Sequence, residues 1–298
     1  VNDQAKTLRK SFGAANGTVG TAGQGPHAPA AIRTELAKQA CRIIAVTSGK
    51  GGVGKSNISL SLAIALSSLK KEVCIVDADL GLANIHLLLG IVPRRNLSNC
   101  IDEECELSEI IAHGPAGVHI IPGASGLEKL ANLDPLRMGM LQRKLGELES
   151  QYDYMIIDTG AGIGKITVEF ASKADMAVVV LTPEPASFAD AYAMVKVLYD
   201  KKITRLAALV NMVSSDAEGK ETFDKLNTLV VKFLKRPLEL IGILPFDKQV
   251  SLLAKRQKMV LMENPRSLFA GRMAAIARTI SGVQASRREG FFARLFKL

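Results

Sequence analysis

Tryptophan is absent from the 298 residues, and aromatic residues make up only 5% of them. A surface that holds nucleic acid by stacking bases on rings needs more, so no specific nucleic-acid partner is expected. The four cysteines, Cys41, Cys74, Cys100 and Cys105, form no C-x-x-C pair, and the four histidines are scattered. Nothing in that spacing resembles a zinc or iron–sulfur site, and we read the cysteines as reduced, small core or surface residues. No apolar run approaches the roughly 20 residues of a membrane-spanning helix. The amino end also lacks the basic-then-apolar build of a signal peptide, so a cytoplasmic location is expected.

What the chain has is ample core material, 48% hydrophobic residues, and a net charge of +9 that is unevenly placed. From Ser251 to Leu298 there are ten Lys/Arg against two Glu, nearly the whole excess. A basic carboxyl end suggests an anionic partner, and the scarcity of aromatics favours a lipid surface over nucleic acid.

Along the chain, Val1, Ala5, Leu8 and Phe12 recur at helical spacing, with Asn2 or Asp3 available as an N-cap. Ser11 to Ala30 is Gly/Ala/Pro-rich with almost no charge or large apolar residue, and so cannot bury enough surface to order itself. From Arg42 the runs IIAV, VCIVD, VHIIP, YMIID, AVVVLT and LAALVN alternate with helix-period segments. Continuous apolar strands alternating with helices predict a doubly wound α/β domain, a mostly parallel sheet with helices on both faces. We expect a docking helix over 1–12, a flexible linker over 13–39, the α/β domain over 40–282, and a linker plus amphipathic helix over 283–298.

The stretch IIAVTSGKGGVGKSNISLSLAIAL fits strand, G-x-x-x-x-G-K-S and helix. In such a loop the backbone N–H groups of Gly49, Lys50, Gly51, Gly52, Val53 and Gly54 face phosphates, with Asn57 just beyond. Lys55 reaches the β and γ oxygens, and the Ser56 hydroxyl is offered to Mg²⁺. The strand VCIVD ends at Asp77, two residues before Asp79, and YMIID ends at Asp158, followed by Thr159-Gly160-Ala161-Gly162. Carboxylates at the carboxyl edge of a parallel sheet sit beside the phosphate loop, where one can orient water and others can hold the magnesium shell. No N-K-x-D follows LAALVN, which ends at Asn211, so the guanine-reading carboxylate of GTPases is missing and ATP is the expected nucleotide.

With an additional lysine, Lys50, ahead of Lys55, the run K-G-G-V-G-K-S resembles the deviant Walker-A signature of the MinD/ParA family of ATPases. That resemblance implies a homodimer formed around ATP, in which Lys50 reaches the partner subunit's nucleotide. It also implies that Asp79 positions the attacking water, that Asp158, with Asp77, holds Mg²⁺ through water in a Walker-B setting, and that Asn211 contacts adenine. Further stretches, DQAKTLR at 3–9, DADLGLANIHLLLG at 77–90, DTGAGIG at 158–164 and TPEPASFADAY at 182–192, are similar to the FlhG (FleN, YlxH) branch. These are MinD-like regulators of flagellar number and placement. The amino-terminal D-Q-A-x-x-L-R is the most discriminating piece, because plain MinD and ParA proteins lack it.

The branch implies a hydrolysing ATPase that associates with the inner face of the cell membrane and restrains flagellar assembly. Its implied partners are an FlhF-like, signal-recognition-type GTPase, docked through Asp3, Gln4, Ala5, Leu8 and Arg9, together with flagellar switch-ring components or a flagellar transcription regulator. The tail EGFFARLFKL carries Phe291, Phe292, Leu295, Phe296 and Leu298 on an arc of about 160° if helical. We expect it to be a detached interfacial helix that meets anionic lipid through Phe291, Phe292, Leu295 and Phe296. Folding of the tail onto its own domain is the alternative. For the whole chain, the alternative is a MinD-like or ParA-like positioning or partition ATPase.

Overall fold

The computed structural model describes residues 40–79, 85–96, 99–100, 102–123, 135–282 and 290–296. The expected docking helix and linker therefore lie outside the described residues, as do 283–289.

Buried on both faces, a parallel strand has no reason to alternate polar with apolar residues. Every residue of β1 (Arg42–Ser48), β2 (Val73–Ala78) and β6 (Met176–Leu181) is accordingly buried. With β3 (Ala112–His113), β4 (His119–Ile121), β5 (Tyr154–Ala161), β7 (Leu206–Val213) and β8 (Glu239–Pro245) they form one sheet in the order β3-β4-β2-β5-β1-β6-β7-β8. All neighbours are parallel except the edge pair β3 and β4. The six expected strands are all present, and β3 and β8 are additions.

Successive side chains feed two cores. Ile43, Ala45, Met155 and Ile157 join one, while Ile44, Val46, Tyr154 and Ile156 join the other. The second core is filled by α1 (Lys55–Ser68), whose run from Ile58 to Leu66 is wholly buried, and by α9 (Leu268–Ser281), which packs against it. Each fully buried Leu or Ile there contributes about 1.5–3 kcal/mol. Between α1 and α9 the chain forms α2 (Ile85–Leu88), α3 (Pro135–Glu149), α4 (Lys165–Lys173), α5 (Pro185–Asp200), α6 (Asp216–Leu234), α7 (Lys248–Ala254) and α8 (Val260–Glu263). α6 opens on an N-cap in which the Ser215 hydroxyl accepts from the Glu218 N–H, and the Glu218 carboxylate accepts from the N–H of the preceding Ser214.

One consequence of this topology positions the site. β1 lies at the centre with β5 beside it and β2 next, so the loops after β1, β2 and β5 open at the same sheet edge. That is where ligands bind in open α/β sheets.

Candidate functional site

The loop after β1 is held open from several sides. Gly54, the residue before α1, has φ 90°, and a Cβ there would lie 2.7 Å from the Asn211 amide nitrogen, so only glycine fits. The Asn211 amide donates to the Val53 carbonyl at 2.8 Å, and the Gly162 N–H donates to the Ser48 carbonyl at 2.9 Å. The Ser48 hydroxyl donates to the Lys50 carbonyl at 2.7 Å. Gly49 sits against the Asp190 carbonyl, which a Cβ would approach to 2.2 Å. Around Gly51 and Gly52, by contrast, a Cβ would meet nothing within 4 Å. The loop backbone is thus pinned at its ends and open in the middle.

Beneath it the carboxylates gather. Asp77 and Asp158 are register partners on β2 and β5, and both are buried. Asp77 accepts from the N–H groups of Ile85 at 3.1 Å and Asp79 at 3.2 Å, which ties the start of α2 to the strand end. Gly123, after β4, lies against the Asp77 carbonyl, which a Cβ would approach to 1.9 Å. Asp158 accepts from the Ser59 hydroxyl at 2.7 Å and is also hydrogen-bonded by Ser56. Burial pushes the Asp158 carboxyl up to about 7. The two hydroxyls and the Lys55 charge oppose that shift, and Asp77 adds to it. Lys55 is itself buried, which lowers its ammonium pKa, while the charges of Asp158 and Asp79 hold it up. Gly160 leaves room for Asp79, whose Oδ1 would lie 3.4 Å from a Cβ there. The structure therefore brings Lys55, Ser56, Asp77, Asp79 and Asp158 together at one sheet edge.

Lys50 is placed differently. Its ammonium pairs with Glu184, which precedes α5, at 2.7 Å, and both side chains are substantially exposed. In a single chain, then, the signature lysine is turned to its own subunit's α5.

On the far side of the loop, Gly54, Asn57, Ile58, Asn211, Met212, Pro245, Phe246 and Phe269 line a cavity of about 90 Å³. Asn211 stands at its wall with one amide hydrogen spent on the loop. Phe246, after β8, lies 58% exposed at its rim, a flat apolar surface that the sequence reading overlooked.

The expectation of a detached carboxyl-terminal helix is corrected by the structure. Gly290 to Phe296, including α10 (Phe291–Leu295), is seated against α3 and α4. Phe291 and Phe292 are buried, Leu295 and Phe296 are partly buried, and Phe291 meets Phe170 at a ring-centroid distance of 6.2 Å. The Phe291 N–H donates to both Glu149 oxygens, at 2.9 and 3.1 Å. Arg294 donates to the Lys173 carbonyl at 3.2 Å and to Asp175 at 2.9 Å. The same apolar arc that suits lipid is satisfied here by the domain's own core. Asp3, Gln4, Ala5, Leu8 and Arg9 lie outside the described residues.

Burial raises the Glu149 carboxyl pKa, against the Phe291 and Phe292 N–H donors and Arg294, while Asp175 adds to the rise. The raised pKa in the docked state means the seat is strongest below the ordinary carboxylate value and weakens as pH rises through the raised one. Arg294 and Asp175 face Glu149 here, with Cys41 nearby. Amide hydrogen exchange over residues 291–296 should therefore speed up as pH rises through that window, after correction for the intrinsic rate. Glu149→Gln should remove that dependence, and a wild-type seat with no such trend would refute it.

Reasoning from sequence missed Ser59, Glu149 and Glu184. Ser59 lies one helical turn after Ser56, so the spacing could have found it. Glu149 and Glu184 are far in sequence from the groups they hold.

A family model described as ParA, NUBPL iron-transfer P-loop NTPase, matches residues 39–281. The antiactivator FleN of Pseudomonas aeruginosa is 40% identical over 240 residues, 80% of this chain and 86% of FleN. The flagellum site-determining protein YlxH of Helicobacter pylori is 36% identical over 267 residues, 86% of this chain and 90% of YlxH. The septum site-determining protein MinD of Pyrococcus horikoshii, solved with Mg-ADP, superposes with a TM-score of 0.65 at 23% identity, over 80% of this chain and 96% of its own, a likeness of fold. The phosphate loop with its second lysine, the carboxylates gathered beneath it and these matches agree, and the chain belongs to the MinD/ParA family of P-loop ATPases.

Proposed function

We propose that this protein is an ATP-driven dimerisation switch of the FleN/FlhG kind, which hydrolyses ATP, associates with the membrane as the ATP dimer and restrains flagellar number or placement. The observation that carries the reading is the meeting of Lys55, Asp77, Asp79 and Asp158 under an open glycine loop. The similarity to FleN and YlxH supports the flagellar assignment.

The residues fit a magnesium ion. Mg²⁺ prefers oxygen donors and retains several waters, and one hydroxyl (Ser56) beside two buried, mutually repelling carboxylates (Asp77 and Asp158) is such a donor set. Asp77 and Asp158 would hold the ion's water shell, because Mg²⁺ dehydrates reluctantly and keeps several waters. When bound, the ion would supply positive charge that neutralises the charge developing on the phosphates. Loop N–H groups and Lys55 hold the phosphates, and Asp79 orients the attacking water. The cavity beside Asn211 takes the adenine. For Lys50 to reach a partner subunit's nucleotide, it must leave Glu184. That ion pair is exposed and weak, worth roughly 0–1 kcal/mol, so the exchange costs little.

Membrane binding requires the tail to leave its seat, because Phe291 and Phe292 cannot meet lipid while buried. One released tail offers few apolar side chains, but two on one dimer gain by effective concentration, a factor of about 10² or more. The protein should therefore pellet with anionic liposomes in ATP and far less in ADP, and deletion of residues 290–298 should abolish pelleting while sparing ATP binding. Equal pelleting in both nucleotides would refute the coupling. A peptide of residues 1–20 should raise the GTP hydrolysis rate of an FlhF-like GTPase, which is the partner proposed for Asp3, Gln4, Ala5, Leu8 and Arg9. Switch-ring components or a flagellar transcription regulator are the further proposed partners.

A further inference from the structure

Between Asp79 and the sheet edge the chain makes a tight reversal that the nucleotide chemistry does not use. It begins at Asn99, turns at Glu103, whose φ is 61°, and closes where the Glu104 N–H donates to the Asn99 carbonyl at 2.8 Å. The Asn99 amide donates to the Glu104 carboxylate at 2.7 Å and braces the same turn. This return lays residue 105 back over residue 100. Their sulfurs lie 3.3 Å apart, and both side chains are buried in the core beside Leu107, Ile110, Leu145 and Leu148.

We propose that Cys100 and Cys105 are a reversible redox site that closes to an intrachain disulfide when a hydroperoxide reaches it. A disulfide needs sulfurs at about 2.05 Å, so closure asks for an approach of roughly 1.2 Å, within the reach of side-chain rotation in a turn already folded back on itself. One sulfur, as thiolate, attacks the peroxide oxygen to give a sulfenic acid and, with hydrogen peroxide, one water. The second sulfur then displaces the sulfenic oxygen as another water and forms the S–S bond. In sum, two thiols are oxidised by two electrons and one peroxide is reduced to two waters.

Burial, then the neighbouring Cys105 and the Glu106 charge, push the Cys100 thiol up to about 12 and keep casual reaction slow, while the ammonium of Lys144 of α3 opposes that rise and favours the Cys100 thiolate. Small, neutral hydrogen peroxide suits a site this enclosed better than a bulky disulfide reagent. Cys74 is fully buried in β2, with its thiol 3.8 Å from the Ile75 carbonyl. The next residue, Glu106, pairs with Lys144 of α3 at 2.9 Å, so the cross-link would tie off the turn beside α3.

The test uses the full chain treated with hydrogen peroxide, then denatured and alkylated with N-ethylmaleimide. The tryptic peptide from Asn96 to Lys129 contains both cysteines and no others. The expected result is a peptide lighter by two hydrogens that carries no maleimide, restored to two maleimides by dithiothreitol. Cys100→Ser should yield no bridge, and in Cys105→Ser dimedone should trap Cys100 as its sulfenic acid. A Cys41→Ser and Cys74→Ser double variant should still form the bridge. Two maleimides on the oxidised wild-type peptide would overturn the proposal. So would a bridge from either residue to Cys41, Cys74 or a second chain.

Discussion

Replacing Asp79 with Asn or Ala should leave ATP binding within a few-fold of wild type and lower the hydrolysis rate by about 10²–10⁴-fold, the usual worth of a positioned acid–base group. Asp79 makes its contribution only when water attacks, so its loss appears in kcat and not in ground-state affinity. Its neighbours allow the substitution. Asp77, not Asp79, carries the hydrogen bond to the start of α2, and Gly160 leaves the Asp79 carboxylate space. Phosphate release measured at saturating ATP, beside an equilibrium binding titration, separates the two effects. A variant that turned over at the wild-type rate would remove Asp79 from the reaction.

Lys55→Ala should do the opposite and remove binding itself. Lys55 is buried, and its charge is sustained by Asp158 and Asp79. Charge-assisted hydrogen bonds contribute about 1.5–3 kcal/mol each, so losing two to the phosphates predicts roughly 10²–10⁴-fold weaker ATP affinity. Equilibrium binding of a fluorescent ATP analogue checks this, with a thermal melt to show that the variant is folded. Affinity unchanged from wild type would mean that the phosphates lie elsewhere.

How much of this was legible follows from the range over which each feature is encoded. The phosphate loop and the strands ending at Asp77 and Asp158 are local, because a continuous β-branched run meeting a glycine or carboxylate signals a buried parallel strand at its loop. β8 escaped notice because ELIGILP carries Glu239 and Gly242 and alternates only weakly. Gly242 is there because α9 comes so close that a Cβ would lie 2.5 Å from Ile276, a tertiary cause. The tail shows the clearest limit. Periodicity identified the apolar arc of Phe291, Phe292, Leu295 and Phe296, but an arc does not specify what covers it. The residues that decide, Glu149, Asp175 and Phe170, are more than a hundred positions away. The Lys50–Glu184 pair and the contact between Cys100 and Cys105 are likewise products of the folded chain.

Sedimentation velocity on the Asp79→Ala protein, in which bound ATP should persist, tests the switch most directly. With ADP the account predicts the mass of one chain, with ATP that of two, and with ATP and an added Lys50→Ala substitution one chain again. The same mass in ADP and ATP would contradict it.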